Sequence, residues 1–237
     1  MKTVLHTATS RGHAYHGWLN TYHTFSFANY YDPERVHFGA LRVLNDDTIA
    51  EGEGLDTHPH DNMEIITIPL HGAVEHKDSM RNSEIIRSGE VQVMSAGTGI
   101  FHSEFSKDGF GDTSLLQIWV FPNKKNVSPR YDQISLADVA KKDELYQVLS
   151  PNPDDQGVWI HQNAWFHLGD LTEGWTGEYT LKNPGDGVYF FVIEGEAEVA
   201  GQKLNRRDGF GVWETDIISI KATKQTQLLL MEVPMYF

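Results

Sequence analysis

The chain contains no cysteine among its 237 residues. Disulfides, thiolate metal ligands and cysteine nucleophiles are therefore excluded together, and any transition metal must be held by His, Asp or Glu. Long apolar runs are missing as well, each falling far short of the roughly 20 residues that cross a bilayer. The opening "MKTVLHTATSRGHAYHGW" has one Lys and no continuous apolar core of the kind a secretory signal needs. The expectation is a cytoplasmic protein without membrane association. Basic residues are scarce: 19 Lys and Arg stand against 33 Asp and Glu, a formal net charge of −14. Phosphate-backbone affinity rests on clustered cations. "PNKKN" at 122–126 and "LNRRDG" at 204–209 are too short and diluted to supply it. Nucleic acid is excluded, and a small, roughly neutral substrate fits this surface better.

What is present is β structure. Short runs rich in Val, Ile, Phe, Tyr and Trp recur between Gly, Asp, Asn and Ser clusters about every 8 to 12 residues, as at 64–70, 90–94, 115–121, 188–194 and 227–233. Only "SLADVAKKDELYQ" at 135–147 has helical spacing, with Leu136, Val139 and Ala140 along one side and Ser135 as N-cap. This segment predicts a linker with a short helix over 134–149, between an N-terminal domain 1–133 and a C-terminal domain 150–237. The two halves read as a degenerate repeat. "IITIPLHGAVEH" matches "YFFVIEGEAEVA", and "RSGEVQVMSAG" matches "RRDGFGVWETD", pairing Gly72 with Gly195 and Gly89 with Gly209. Two similar jelly-roll barrels follow as the architecture.

The twelve histidines do not repeat. In a strand, residues two apart share a face, so His58 and His60 project together across Pro59. Proline belongs at a strand start or an edge, which suits the mouth of a barrel. About forty residues on, "GTGIFHSEF" supplies His102 and Glu104 with the same spacing. Facing strands would bring three imidazoles and one carboxylate to a point, although Glu64 in the adjoining strand offers a second carboxylate that could also point inward. Such ligands suit iron, nickel, copper, cobalt, manganese or zinc, and ligand type alone does not choose among them. Four ligands in an octahedral site leave two positions open, as catalysis requires, whereas closed structural sites are more often built from cysteines. His76 reads as satisfying a local hydrogen bond, His71 as a turn residue, and His161 and His167 as solvent or pocket residues. His6, His13, His16, His23 and His37 have no partner at chelating spacing. Phe101, Met94, Ile66 and Trp119 read as ordinary core packing, although they have the character of a wall for a flat aromatic molecule.

These residues resemble the cupin superfamily, and within it the pirins of the bacterial quercetin 2,3-dioxygenase branch. Gly52, His58, His60 and Glu64 comply with the first cupin motif, whose closing glycine falls one residue late at Gly72. Only Gly99 and His102 comply with the second; Gly97 replaces its proline and Ser106 its asparagine. "HPHDNMEIITIPLHGAVEHKDSM" and "GEVQVMSAGTGIFHSE" look pirin-like, as do "HTFSFANYYDPERVHFGALRVLNDD", "QIWVFP" and "PRYDQ". The likeness is dense over the first 133 residues and mainly architectural afterwards. It implies an all-β bicupin, two double-stranded β-helix barrels packed together, and one divalent metal, Fe(II) before Ni, Cu, Co, Mn or Zn. It places that metal on His58, His60, His102 and Glu104, leaving Glu64 to support the ligands from behind. The implied reaction opens a flavonol such as quercetin with O2: the 3-hydroxyl binds as an oxyanion, O2 adds across the enol carbons, and carbon monoxide leaves. Glu104 is then the base. No H-x-H occurs near 181–183, so the second cupin is expected to be metal-free. Pirins of higher organisms imply the rival function, a metal-dependent protein-interaction or redox-sensing regulator, although no segment marks a protein interface.

Overall fold

The computed structural model describes residues 1–237 as strands and turns with two single-turn 3-10 helices. Four sheets account for all the strands. In the first half, a seven-stranded sheet orders Arg130–Ser135, Glu90–Ser95, Glu64–His71, Thr113–Val120, Leu41–Ile49, Leu19–His23 and Gly12–Tyr15. It faces a four-stranded sheet of Gly54–His60, Ile100–Ser106, Ala73–Asp78 and Ser83–Arg87. The second half repeats the plan. Its seven-stranded sheet runs Lys2–His6, Gly209–Trp213, Asp186–Glu194, Thr226–Pro234, Trp165–Leu171, Leu145–Ser150 and Val158–Trp159. Thr176–Thr180, Ile217–Ala222, Glu196–Val199 and Gln202–Asn205 complete it. The result is the two-barrel all-β architecture of a bicupin.

The two large sheets lie face to face. Alternation within strands explains why: Ile66, Ile68, Val91 and Val93 project outward from the first barrel and join Phe166, Tyr189, Phe191 and Met231 of the second in the largest apolar cluster. The halves are also interlocked by their termini. Lys2–His6 pairs antiparallel with Gly209–Trp213 in the second barrel. At the other end, the Pro234 carbonyl accepts from the Ala40 N–H at 2.9 Å, and Phe237 stacks on Phe121 at 5.2 Å.

Two sequence expectations need correction. The helix expected over 135–147 stops after one turn, Leu136–Asp138. Ser135 does cap it, its hydroxyl accepting from the Ala137 N–H, but Leu145–Ser150 is drawn into the second large sheet against Trp165–Leu171. Sheet pairing there outweighs a weak helical preference. The glycine pairing holds once and slips once. Gly72 and Gly195 occupy matching hairpin turns at φ 74° and 86°, where a side chain would meet Thr113 or the Gln225 carbonyl. Gly89 turns at φ 88°, but the residue with positive φ in the other barrel is Arg207 at 66°. Gly209 instead begins a strand, kept bare because an added Cβ would lie 2.2 Å from the Tyr189 hydroxyl.

Candidate metal centre

The four-stranded sheet of the first barrel carries the histidines inward. Ile100–Ser106 alternates strictly, with Ile100, His102, Glu104 and Ser106 buried. On one side it pairs with Gly54–His60, setting His102 opposite His58, and a register shift follows before Glu104. On the other side Glu104 lies opposite His76 and His102 opposite Asp78. The rings of His58 and His102 are 4.4 Å apart, and each lies 4.9 Å from His60. Nitrogen atoms of all three fall within 4.8 Å of one another, as do ligand atoms of the overlapping group His76, His102 and Glu104.

Hydrogen bonding fits these groups to a cation. The His58 Nδ1–H donates to the Asp56 carbonyl at 2.7 Å, leaving the Nε2 lone pair free. His102 is 2% exposed, yet neither of its ring nitrogens has a partner. An unpaired buried polar group costs about 1–3 kcal/mol, and a divalent metal held by neutral imidazoles is the chemistry that would engage this one. Burial, reinforced by the neighbouring imidazoles, pushes His102 down to about 2 and His60 to about 4, so both are unprotonated and available as ligands at neutral pH. Glu104 accepts from Gln117 Nε2 at 2.8 Å and from Thr67 Oγ1 at 3.3 Å. Burial raises its pKa, opposed by His76, His58 and these two hydrogen bonds.

The structure separates the two candidate carboxylates. Glu64 lies on the same side of its strand as Ile66 and Ile68, which face the second barrel, whereas Ile65 and Thr67 face the interior. It accepts from Ser95 Oγ at 2.6 Å, and burial pushes it up to about 7. Glu64 therefore does not support the histidines from behind as expected. His76 does more than satisfy a local hydrogen bond. Its Nε2 does meet Asp78, at 3.2 Å, but its Nδ1 is buried without a partner and it belongs to the second ligand group. Its cross-strand position opposite Glu104 is invisible in a sequence that places them 28 residues apart.

Beneath the histidines lies a cavity of about 630 Å³ lined by residues of both sheets and of the N-terminal hairpin. His13, His16 and His23, which have no chelating spacing, line it. So does Trp119, edge-to-face with both His60 (4.9 Å) and Phe27 (5.3 Å). Of the other residues with the character of an aromatic wall, Ile66 faces the interdomain core, Met94 is buried in a small cluster, and Phe101 is 54% exposed rather than core. The floor is polar. Gln92, Thr67, Gln117, Asn45 and His23 are successive cross-strand partners, forming one buried rung across five strands.

Comparison with known proteins gives the family. Residues 4–120 match the Pirin family, and residues 147–233 match the quercetinase C-terminal cupin domain. The chain belongs to the pirin family. A quercetin 2,3-dioxygenase of Escherichia coli is 42% identical over 230 residues, covering 97% of this chain and 98% of that protein. A pirin-like protein of Caulobacter vibrioides is 38% identical over 93% of this chain and 95% of its own. Among solved structures, the bacterial pirin YhhW of E. coli in complex with nickel(II) superposes with a TM-score of 0.92 at 41% identity, covering 98% and 99% of the two chains. The pirin fold and its two cupin halves are thus those of this chain, and its His and Glu cluster suits a divalent metal. No helix is long and apolar enough to cross a membrane.

Proposed function

We propose that this pirin is a cytoplasmic metal-dependent dioxygenase that opens a flavonol such as quercetin with O2 and releases carbon monoxide. His58, His60, His102 and Glu104 would hold the ion, Fe(II) first and Ni, Cu, Co, Mn or Zn as alternatives, with Glu104 also acting as base. The observation that carries this reading is the buried imidazole of His102, unpartnered at both nitrogens, at the mouth of an aromatic-walled cavity. The names of the relatives support the substrate class, and the nickel(II) complex of YhhW supports the metal site. A bound divalent cation supplies Lewis acidity, lowering the pKa of a coordinated hydroxyl and holding reactants in reach. The protein's own part is positional and acid–base. Gln117 and Thr67 fix Glu104 from below, and its burial-raised pKa brings it closer to the range where a carboxylate accepts a phenolic proton effectively. Trp119 and Phe27 give a flat ring an apolar wall.

In the same reading, residues 1–133 form the metal-bearing domain, and the linker 134–149 ends by giving the strand Leu145–Ser150 to the sheet of the metal-free cupin 150–237, which also receives the strand Lys2–His6. The test begins with metal analysis of untagged protein, followed by oxygen uptake and carbon monoxide release with quercetin, with the native metal and then with each alternative. Turnover with carbon monoxide supports the enzyme. Silence with every metal would discard it and leave a metal-dependent partner or redox sensor as the function.

A further inference from the structure

Away from the metal ligands, four buried polar atoms around the cavity lack partners, and three of them can accept a hydrogen bond. Asn45 Oδ1 and Asp47 Oδ1 are oxygen acceptors, His23 Nδ1 is a ring nitrogen, and Trp119 Nε1 is a lone donor. All four residues line the cavity. Asn45 is the cross-strand partner of both Gln117 and His23, and Gln117 donates to Glu104. Asp47 lies two residues along the same strand, and both it and Asn45 line the same space. His23 is therefore two inter-strand spacings, about 10 Å, from Gln117. Along the same path runs an edge-to-face aromatic series, His60 to Trp119 (4.9 Å), Trp119 to Phe27 (5.3 Å) and Phe27 to His23 (5.2 Å).

The geometry points to a ligand subsite remote from the metal ligands, in which Asn45, Asp47 and His23 accept hydrogen bonds from hydroxyl groups on the far ring of an elongated aromatic molecule. The aromatic class of that ligand rests on the dioxygenase reading, but the demand for donors rests on the orphaned acceptors alone. Unmade hydrogen bonds in a dry site are costly, so a site of this kind discriminates against a ligand that leaves them unmade. The subsite thus selects a polyhydroxylated flavonol over one hydroxylated only at the metal-binding end.

Anaerobic equilibrium titration of the full nickel(II)-loaded chain tests this without turnover. Quercetin carries two adjacent hydroxyls on its pendant phenyl ring and two more on its fused ring, and 3-hydroxyflavone has the 3-hydroxyl alone. The wild type should bind quercetin at least about tenfold more tightly. Asn45→Leu and Asp47→Leu should bring the two Kd values within about twofold, chiefly by weakening quercetin, while Asp47→Asn, which keeps an acceptor oxygen, should preserve the preference. Asn45→Leu should melt no lower than wild type, because it removes an oxygen that no protein group satisfies, and Asp47→Leu should stay folded, losing only the hydrogen bond from Thr21. A wild-type ratio near one, a ratio unchanged in folded leucine variants, or unfolding of both variants would overturn the subsite. Admitting air then separates the two readings: a retained preference without oxygen uptake upholds the subsite and removes the dioxygenase.

Discussion

The two barrels share a plan and differ in what fills them. Phe190, Phe210, Leu228, Leu230, Val188 and Ile218 pack the interior of the second. One rung of its large sheet runs Phe210, Phe190, Leu230 and His167, where the first barrel has Gln92, Thr67, Gln117, Asn45 and His23. Each barrel also buries a carboxylate. Glu232 is fully provided for, accepting from the Tyr179 hydroxyl at 2.6 Å and from the backbone N–H groups of Lys182 and Asn183. Glu104 has one amide and one hydroxyl donor and sits among imidazoles. Satisfied polar groups hold structure, whereas unsatisfied ones facing a cavity mark where a ligand completes the chemistry. The first barrel keeps polar groups around a cavity where the second packs apolar side chains, and its outer face joins the shared core with the second.

The largest expected effect breaks this comparison at the metal. Replacing His102 by Ala should lower turnover at least about a thousandfold and abolish stoichiometric metal binding, because it removes a ligand common to both candidate groups. The melting temperature of the metal-free protein should stay within a few degrees of wild type, because the apolar core lies elsewhere. Metal analysis beside a thermal melt reads both. Turnover and metal content at wild-type levels would sink the assignment.

In the second barrel the sensitivities reverse. Phe190→Ala empties a fully buried site in the apolar rung and should cost about 3–5 kcal/mol in denaturant unfolding. Asn45→Leu, in the first barrel, should be neutral or stabilising by up to about 1 kcal/mol. Equal losses at the two positions would erase the distinction between a structural interior and a binding interior.

Part of this contrast is legible in the amino-acid sequence alone. The pairs His58/His60 and His102/Glu104 stand out because their spacing of two is a property of one strand, and the all-β class follows from the recurrence of short apolar runs. What stays hidden depends on register between strands distant in sequence. His76 meets Glu104, and Gln117 meets Asn45, only through pairings that local pattern does not encode. The helix expected over 135–147 is cut short for the same reason, since a long-range sheet claims its C-terminal end. Glu64 is ambiguous in sequence because parity fixes that it opposes Ile65, but not which face is the interior.

A smaller effect is expected from pH. Burial pushes Asp47 up to about 7, far above its ordinary value. A carboxyl with a raised folded-state pKa costs stability when ionised, in full above pH 7, and the cost fades as pH falls through 7 toward 4. Asp47→Asn should therefore stabilise the protein by about 2 kcal/mol at pH 8 and by much less at pH 5. Urea melts at the two pH values decide it; an equal gain at both would show that ionisation of Asp47 carries no such cost.

The smallest expected effect sharpens the comparison between carboxylates. A generic cupin reading would use Glu64 at the metal, yet its strand turns it toward the second barrel beside Ser95, where burial raises its pKa against the opposing Ser95 hydrogen bond and the charge of Arg130. Glu64→Gln keeps a carbonyl oxygen to accept from Ser95, so at pH 5, where the folded protein holds Glu64 protonated, stability should change by less than about 1 kcal/mol. Metal affinity should remain within about twofold of wild type, because no strand brings Glu64 to the histidines. Glu104→Gln in the same titration should weaken the metal by at least about tenfold. If the two variants lost metal equally, the inward face of the first barrel would have to be reassigned, and with it the division between an interior that binds and an interior that packs.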